Sequence, residues 1–266
     1  MKLLKFFNKS FGNLNQLTGE EKKMKQKTKG KTLGTAVSVG LFLAGAAITV
    51  TLLVIAIWAD LEASVFDTSI KAEKTLRSMS CPMIMTTNEV GQVEASFTNK
   101  LERTIKPAVR VHISDGFVTY MREENTKFEL APQETKRLSW TVMPEDAAFG
   151  QFILVKVYRF QFNQIPSYQA TCGIYVVDYD GLTGAQITWA AVGLGFIGLA
   201  GGTASFSLID RPLKNKRKSI ASAMIVFSLF LVLGFVFSYL GFWLLAAIAL
   251  VAMILIVCGS IAQLLK

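Results

Sequence analysis

The chain has 266 residues, of which 52% are hydrophobic and 18% charged, with a mean hydropathy of +0.41. A soluble domain usually carries about 25% charged residues, so this composition excludes a disordered tail protein and argues against an ordinary soluble globule. The net charge of +9 would suggest nucleic acid as a partner, and the location of the charges decides whether it does.

Residues 1–32 hold nine lysines against Glu20 and Glu21. Leu3, Leu4, Phe6, Phe7, Phe11 and Leu14 interleave with Lys2, Lys5 and Lys9, which predicts a basic amphipathic helix lying on the inner leaflet of a membrane. The lysines of 22–31 then lie within reach of anionic head groups, each contributing about 1 kcal/mol. No folded reader domain accompanies this block, so nucleic acid is not an expected partner.

Residues 33–59 are 27 positions without an ionisable side chain. At about 1.5 Å each they extend roughly 40 Å, enough to cross a ~30 Å hydrocarbon core with tilt. The run is too long, and follows too much polar sequence, for a cleaved signal peptide, so an uncleaved signal anchor is expected. Gly40 and Ala44 offer a smooth packing face on this helix.

Residues 60–183 form one insertion before the next apolar run. Positions 60–180 carry thirteen basic and sixteen acidic residues, making this region mildly acidic. In 60–80, Leu61, Val65, Ile70, Ala72 and Leu76 fall at loosely helical spacing, which predicts a stalk or an extension of the first helix. From Cys81 the period changes to two. Val93, Ala95 and Phe97 alternate, as do Val109, Val111 and Ile113, then Leu138, Trp140 and Val142. Phe152, Leu154 and Tyr158 follow, continuing to Phe160 and Phe162, and last Ala170, Cys172, Ile174 and Val176. Turn residues Asp115-Gly116, Ala131-Pro132 and Phe149-Gly150 separate these runs, which read as about seven half-buried antiparallel strands. A β-sandwich over 81–183 is the expected architecture, with Trp140 in its core.

The run Phe97-Thr98-Asn99, the Val109/Val111/Ile113 strand, and Leu130 to Thr135 leading into Leu138-Ser139-Trp140-Thr141-Val142 resemble the Ig-like modules of prokaryotic cell-surface proteins. The resemblance covers about 95 residues and implies a structural or binding module. The plan of one helix, a large external β-insertion and three further helices is also similar in topology to the claudin and peripheral-myelin group. The Trp-Gly-Leu-Trp and paired-cysteine motif of that group is missing here, so only the topology is shared. Cys81 and Cys172 lie at the two ends of the domain. They are either buried thiols or a disulfide, and an oxidising exterior favours the disulfide.

Beyond the insertion, residues 182–209 are uncharged and 219–265 are 47 positions without Asp, Glu, Lys, Arg or His. A single helix of that length would be about 70 Å, so it must fold back, with the turn at Ser238-Tyr239-Leu240-Gly241. Four membrane helices result: 33–59, 185–209, 219–238 and 242–263. Arg211, Lys214, Lys216, Arg217 and Lys218 form a basic loop that shares one face with Lys2, Lys5, Lys9 and Lys266. The positive-inside rule makes that face cytoplasmic and 60–183 extracytoplasmic. Trp58, Trp189, Tyr239 and Trp243 then fall together at the outer interface. Gly193 to Gly198 matches the dinucleotide GxGxxG pattern letter for letter but lacks the preceding strand. Within an apolar helix, Gly195, Gly198, Gly201 and Gly202 instead provide a face for close helix packing. Cys258, near the inner end of the last helix, reads as an acylation site or a small packing residue.

Catalysis finds little support. His112, with Asp115 nearby, reads as a solvent-facing strand residue, and no local motif brings it a serine. Glu123-Glu124 and Glu145-Asp146 read as solvated turns. No His/Cys spacing offers four zinc ligands, so neither metal nor cofactor is expected. The absence of ionisable residues from the four spans argues against an ion-coupled transporter. The expected protein is thus a non-enzymatic multi-pass plasma-membrane protein of α+β class presenting an external β-sandwich. It would act as an accessory or assembly subunit, or a surface interaction module, in contact with lipids and with other subunits or copies of itself. Handling of a lipid or another hydrophobic molecule is the alternative.

Overall fold

The computed structural model describes the backbone of residues 2–161, 165–209 and 215–264, and the side chains of 33–161, 165–209 and 218–259. The chain is α+β, and among the described residues one helix, nine strands and three further helices follow in sequence order. α1 spans Lys2–Val65, α2 Gly184–Ile209, α3 Asn215–Tyr239 and α4 Trp243–Leu264. Among the described residues three stretches are long and apolar enough to cross a membrane: Leu33–Val65, Gly184–Ile209 and Lys218–Tyr239. The fourth helix is present, but its described apolar part, Trp243–Gly259, is shorter than the other three. Between α3 and α4, Gly241 takes φ 74°. Its N–H donates to the Ser238 carbonyl and that of Phe242 to Phe237, a Schellman stop that leaves no doubt about where the apolar run turns.

Two compact units divide the described chain. In the unit formed by 1–47 and 195–226, α1 and α2 meet at near backbone contact. A Cβ added at Gly45 would lie 2.7 Å from the Gly195 carbonyl oxygen, and one at Gly202 would lie 2.7 Å from the Phe42 Cβ. Small residues are needed here because no side chain fits between the helices.

The other unit, 48–194 and 227–266, holds all the strands. Lys74–Thr75 (β1), Ile84–Thr86 (β3), Ala108–Asp115 (β5), Phe117–Lys127 (β6), Phe152–Arg159 (β8) and Tyr168–Val177 (β9) make a six-stranded sheet in the order β1-β9-β8-β5-β6, with β3 also on β9. Met79–Ser80 (β2), Gly91–Thr98 (β4) and Thr135–Val142 (β7) make a second sheet in the order β2-β4-β7. β1 and β3 run parallel to β9, and every other pair is antiparallel. The two sheets share one core, to which β4 gives Val93, Ala95 and Phe97, β7 gives Trp140, and β5, β8 and β9 give Val111, Val155 and Ile174.

Three sequence expectations need correction. The first helix does not stop at residue 59: of the two readings of 60–80, the helix extension holds for the first residues and the stalk does not. α1 runs on to Val65, and the chain then supplies β1 and β2. On β8 the residues turned to the shared core are Ile153, Val155 and Val157, whereas Phe152 and Leu154 pack on the opposite face with Ala63 and Phe66 of the α1 end. β8 is buried on both faces and so lacks the alternation that marks a half-buried strand. β6 was not visible as a strand because, at the sheet edge, most of its residues face solvent and its apolar content is low.

Candidate functional site

The α1 extension dictates what happens on the outer face of the large sheet. Ala59 passes so close to Gly173 that a Cβ there would lie far inside contact with the Ala59 backbone, and Asp60 accepts the Gly173 N–H. Phe66 is fully buried. Asp67 then reverses the chain with φ 44°, a left-handed conformation that Asp tolerates better than most residues.

That reversal places the Asp67 carboxylate against His112. His112 Nδ1 lies 2.6 Å from Asp67 Oδ2, and Nε2 lies 3.1 Å from Glu123 Oε2. His112 is 5% exposed, which corrects the solvent-facing reading: β5 is an inner strand whose outer face is covered by the α1 end. Each ring nitrogen thus has a carboxylate oxygen within hydrogen-bond distance. Directly across the ladder from His112 stands Lys156, 4% exposed. Its ammonium donates to the carbonyls of Asp67 and Ile70, capping the acceptors left at the end of the helix and its turn.

Burial works against the Asp67 charge, but hydrogen bonds from Ser69 and His112 and the charges of His112 and Lys156 outweigh it, so its carboxyl sits below the ordinary aspartate value. Glu123 is lowered by hydrogen bonds from Asn125 and His112 and by the nearby Arg110. Burial lowers Lys156, and the Asp67 charge partly offsets that shift. The Ser69 hydroxyl donates to Asp67 and both His112 nitrogens face carboxylates. The cluster therefore holds the turn after α1 on the sheet and presents no serine-histidine pair.

Two further contacts fasten helix ends to the same domain. The Glu89 carboxylate accepts the N–H of Gly184 at 2.9 Å and that of Thr86 at 2.8 Å, placing a negative charge at the N-terminus of α2, where the helix dipole favours it. Thr183 and Gln186 add a reciprocal capping pair. Arg77 lies 5.7 Å from the Phe242 ring centroid in the turn between α3 and α4, a cation–π contact. Nearby, Cys81 and Cys172 are joined with a Cα separation of 6.6 Å. A cleft of about 370 Å³ opens beside them, bordered by Glu89, Gln92 and Glu94.

The remaining residues singled out by sequence are dispersed. Gly195, Gly198 and Gly202 face α1, and a Cβ at Gly201 would lie 3.2 Å from Leu41 Cδ2. Gly40 has open space around it and Ala44 is exposed, so the α1 packing face centres on Gly45 instead. Trp58, Trp189 and Tyr239 are exposed and Trp243 is half-buried. Lys218 is exposed. Lys2, Lys5, Lys9, Arg211, Lys214, Lys216 and Arg217 lie outside the described side chains. Cys258 is a free, exposed thiol. Glu123-Glu124 belongs to β6 and is not a turn. Asp146 is buried, accepting the Met143 N–H and a bond from Arg122, so it stabilises its own loop and is not solvated.

Asp67 and Lys156 escaped the sequence reading. Their signal was a lysine inside the apolar run Ile153 to Val157, which on a doubly buried strand demands a partner.

No family model matches the chain, and no curated protein matches it. Among solved structures it is similar to the CARDB domain of a Pyrococcus furiosus protein, at 17% identity and a TM-score of 0.30 over 38% of this chain and 90% of that one. It is also similar to a Paenibacillus cycloisomaltooligosaccharide glucanotransferase, at 11% identity and a TM-score of 0.30 over 41% of this chain and 15% of that one. A Listeria innocua β-glucosidase gives 18% identity and a TM-score of 0.28 over 41% and 16%. At such scores these likenesses say nothing about activity, and the enzymes are matched over a small part of their length.

Proposed function

We propose that the chain is a non-enzymatic multi-pass membrane protein that holds an external Ig-like β-sandwich at a fixed height and orientation, as an accessory or assembly subunit of a membrane complex or a surface interaction module. The observation that carries this reading is the mounting of the domain. The α1 end is held by Gly173 and by the Asp67–His112–Lys156 cluster, the α2 start by Glu89, and the α3–α4 turn by Arg77. A module meant only to swing on a tether needs none of these contacts, whereas one that must meet other subunits in register needs its angle set in advance.

The basic blocks at 1–32 and 210–218 support cytoplasmic termini and an extracytoplasmic domain. The disulfide supports the same orientation. Handling of a hydrophobic molecule is the second reading: the cleft beside the disulfide is lined by Pro82, Ile84, Met85 and Val90 as well as by Glu89, Gln92 and Glu94. Native purification from the source membrane followed by mass spectrometry tests the proposal. Stoichiometric copurifying membrane subunits, or a homo-oligomer, are expected, and a monomer without partners would overturn it.

A further inference from the structure

At one end of the large sheet the surface is apolar in a way the fold itself does not require. Phe117 and Tyr120 stand edge to face with ring centroids 5.8 Å apart, and Phe117 and Phe149 do the same at 5.6 Å. Phe149 is 68% exposed, and Phe117, Tyr120 and Met121 are exposed beside it. The Phe149 N–H donates to the Gly116 carbonyl, tying its turn to the β5–β6 hairpin tip.

The backbone makes Phe149 more unusual. Phe149 and Gly150 take φ 51° and 67° in succession, with the Gln151 N–H donating to the Ala148 carbonyl. Both central residues left-handed is the two-residue hairpin geometry that favours Asn-Gly or Asp-Gly. A phenylalanine at the first position is sterically disfavoured, and its ring remains mostly in the open. The side chain thus costs the fold something and gains only a ring contact in return, which points to a use outside the domain.

The sheet register fixes where this patch lies. Ala59 of α1 sits on Gly173. Gly173 pairs with Leu154, whose N–H donates to the Ser114 hydroxyl, and Ser114 pairs with Met121. The aromatic tip is therefore level with the point where the first apolar stretch meets the sheet. At the far end of the same strands the surface is ionic, with Lys106 paired to Glu129 and Lys127 closing β6. Exposed aromatic and thioether side chains at the helix-side end suit a body standing on a bilayer.

We propose that Phe117, Tyr120, Met121 and Phe149 form a lipid-contact surface that enters the outer interfacial zone of the membrane. The inference rests on the membrane reading above. Its test uses the full chain with Cys258→Ala, carrying a single nitroxide label and reconstituted in nanodiscs of equal parts phosphatidylcholine and phosphatidylglycerol. Collisions with oxygen and with a water-soluble nickel chelate are measured for labels at Phe149→Cys, at Leu229→Cys within α3 and at Lys106→Cys at the far end.

The Phe149 label is expected to favour oxygen, at a depth between the two reference labels. A Phe149 label as open to nickel as the Lys106 label would overturn the inference while leaving the membrane reading intact. A Phe149 label immobilised and shielded from both reagents would also overturn it, in favour of a protein partner. A water-like Leu229 label would remove the membrane reading itself. Phe149→Asn supplies an independent check, since asparagine suits the turn. Unfolding temperature should hold or rise while a label at Tyr120→Cys loses its oxygen preference; retention of that preference would count against the proposal.

Discussion

Replacing His112 with leucine should release the turn that follows α1. The substitution keeps an apolar body on β5 but removes the ring nitrogens that face Asp67 and Glu123. The Asp67 side chain is only 4% exposed, so its carboxylate would stay buried with the Ser69 hydroxyl as its remaining side-chain hydrogen-bond donor and Lys156 as the nearby cation. Removing one partner of a buried ion pair costs about 3–5 kcal/mol. The surviving Ser69 bond and Lys156 charge place the expected loss at the lower end, about 3 kcal/mol. The lost Glu123 contact adds little, since that side chain is 40% exposed. Hydrogen exchange read by mass spectrometry on the full chain in nanodiscs is the assay. The reporters are the amides of Ala72, Glu73 and Lys74, which donate to Gln169, to the Ser167 hydroxyl and to the Ser167 carbonyl. They should exchange roughly a hundredfold faster if opening is local. Adding Asp67→Asn, which suits the left-handed backbone and removes the orphaned charge, should restore most of the protection. Unchanged exchange in the single variant, or a double variant no better than the single, would refute the account.

Because Asp67 is lowered from 3.8, the folded state binds fewer protons than the unfolded one in acid. Its contribution is complete above that value and is lost as pH falls through the folded value, so protection of the same amides should decline below about pH 4, measured after correction for intrinsic exchange. Gly173→Val would drive a side chain into the Ala59 backbone; α1 should separate from β9, costing about 3 kcal/mol or more in chemical denaturation, and an unchanged midpoint would contradict that contact. Gly45→Leu meets the Gly195 carbonyl and the Leu199 amide, and should abolish crosslinking between cysteines introduced on α1 and α2. Reducing the Cys81–Cys172 bond, which spans a sequence separation of 91, should destabilise the domain by about 4–5 kcal/mol on a chain-entropy basis, seen as a lowered unfolding midpoint in reductant.

Period two was readable on β4 as Val93, Ala95 and Phe97, and on β5 as Val109, Val111 and Ile113, where the polar Arg110, His112 and Ser114 between them keep the alternation visible although the outer face is covered. The helices were readable from the runs free of charge, with α2 beginning within a residue of expectation. What was hidden depended on tertiary cover. The spacing of Leu61, Val65 and Ile70 suits a helix extension as well as a stalk, but nothing local says that the extension packs over the sheet. Without that cover His112 looks solvated and Lys156 looks like an interruption. The two-residue strands β1 and β2 are too short to carry any period at all. Gly40 and Ala44 have the spacing for helix contact but do not face α2, and spacing alone does not say which side of a helix meets its neighbour.

The three attachments to α1, α2 and the α3–α4 turn have a mechanical consequence. A body held at three points is less free to rock than one held at a single joint. Force applied by a partner on the sheets would thus pass directly to three helix ends as changes of tilt or spacing, much as a load on a tripod head is divided among its legs. Weakening one attachment, at Glu89 for instance, would leave a hinge through the other two and turn a load-sharing mount into a lever.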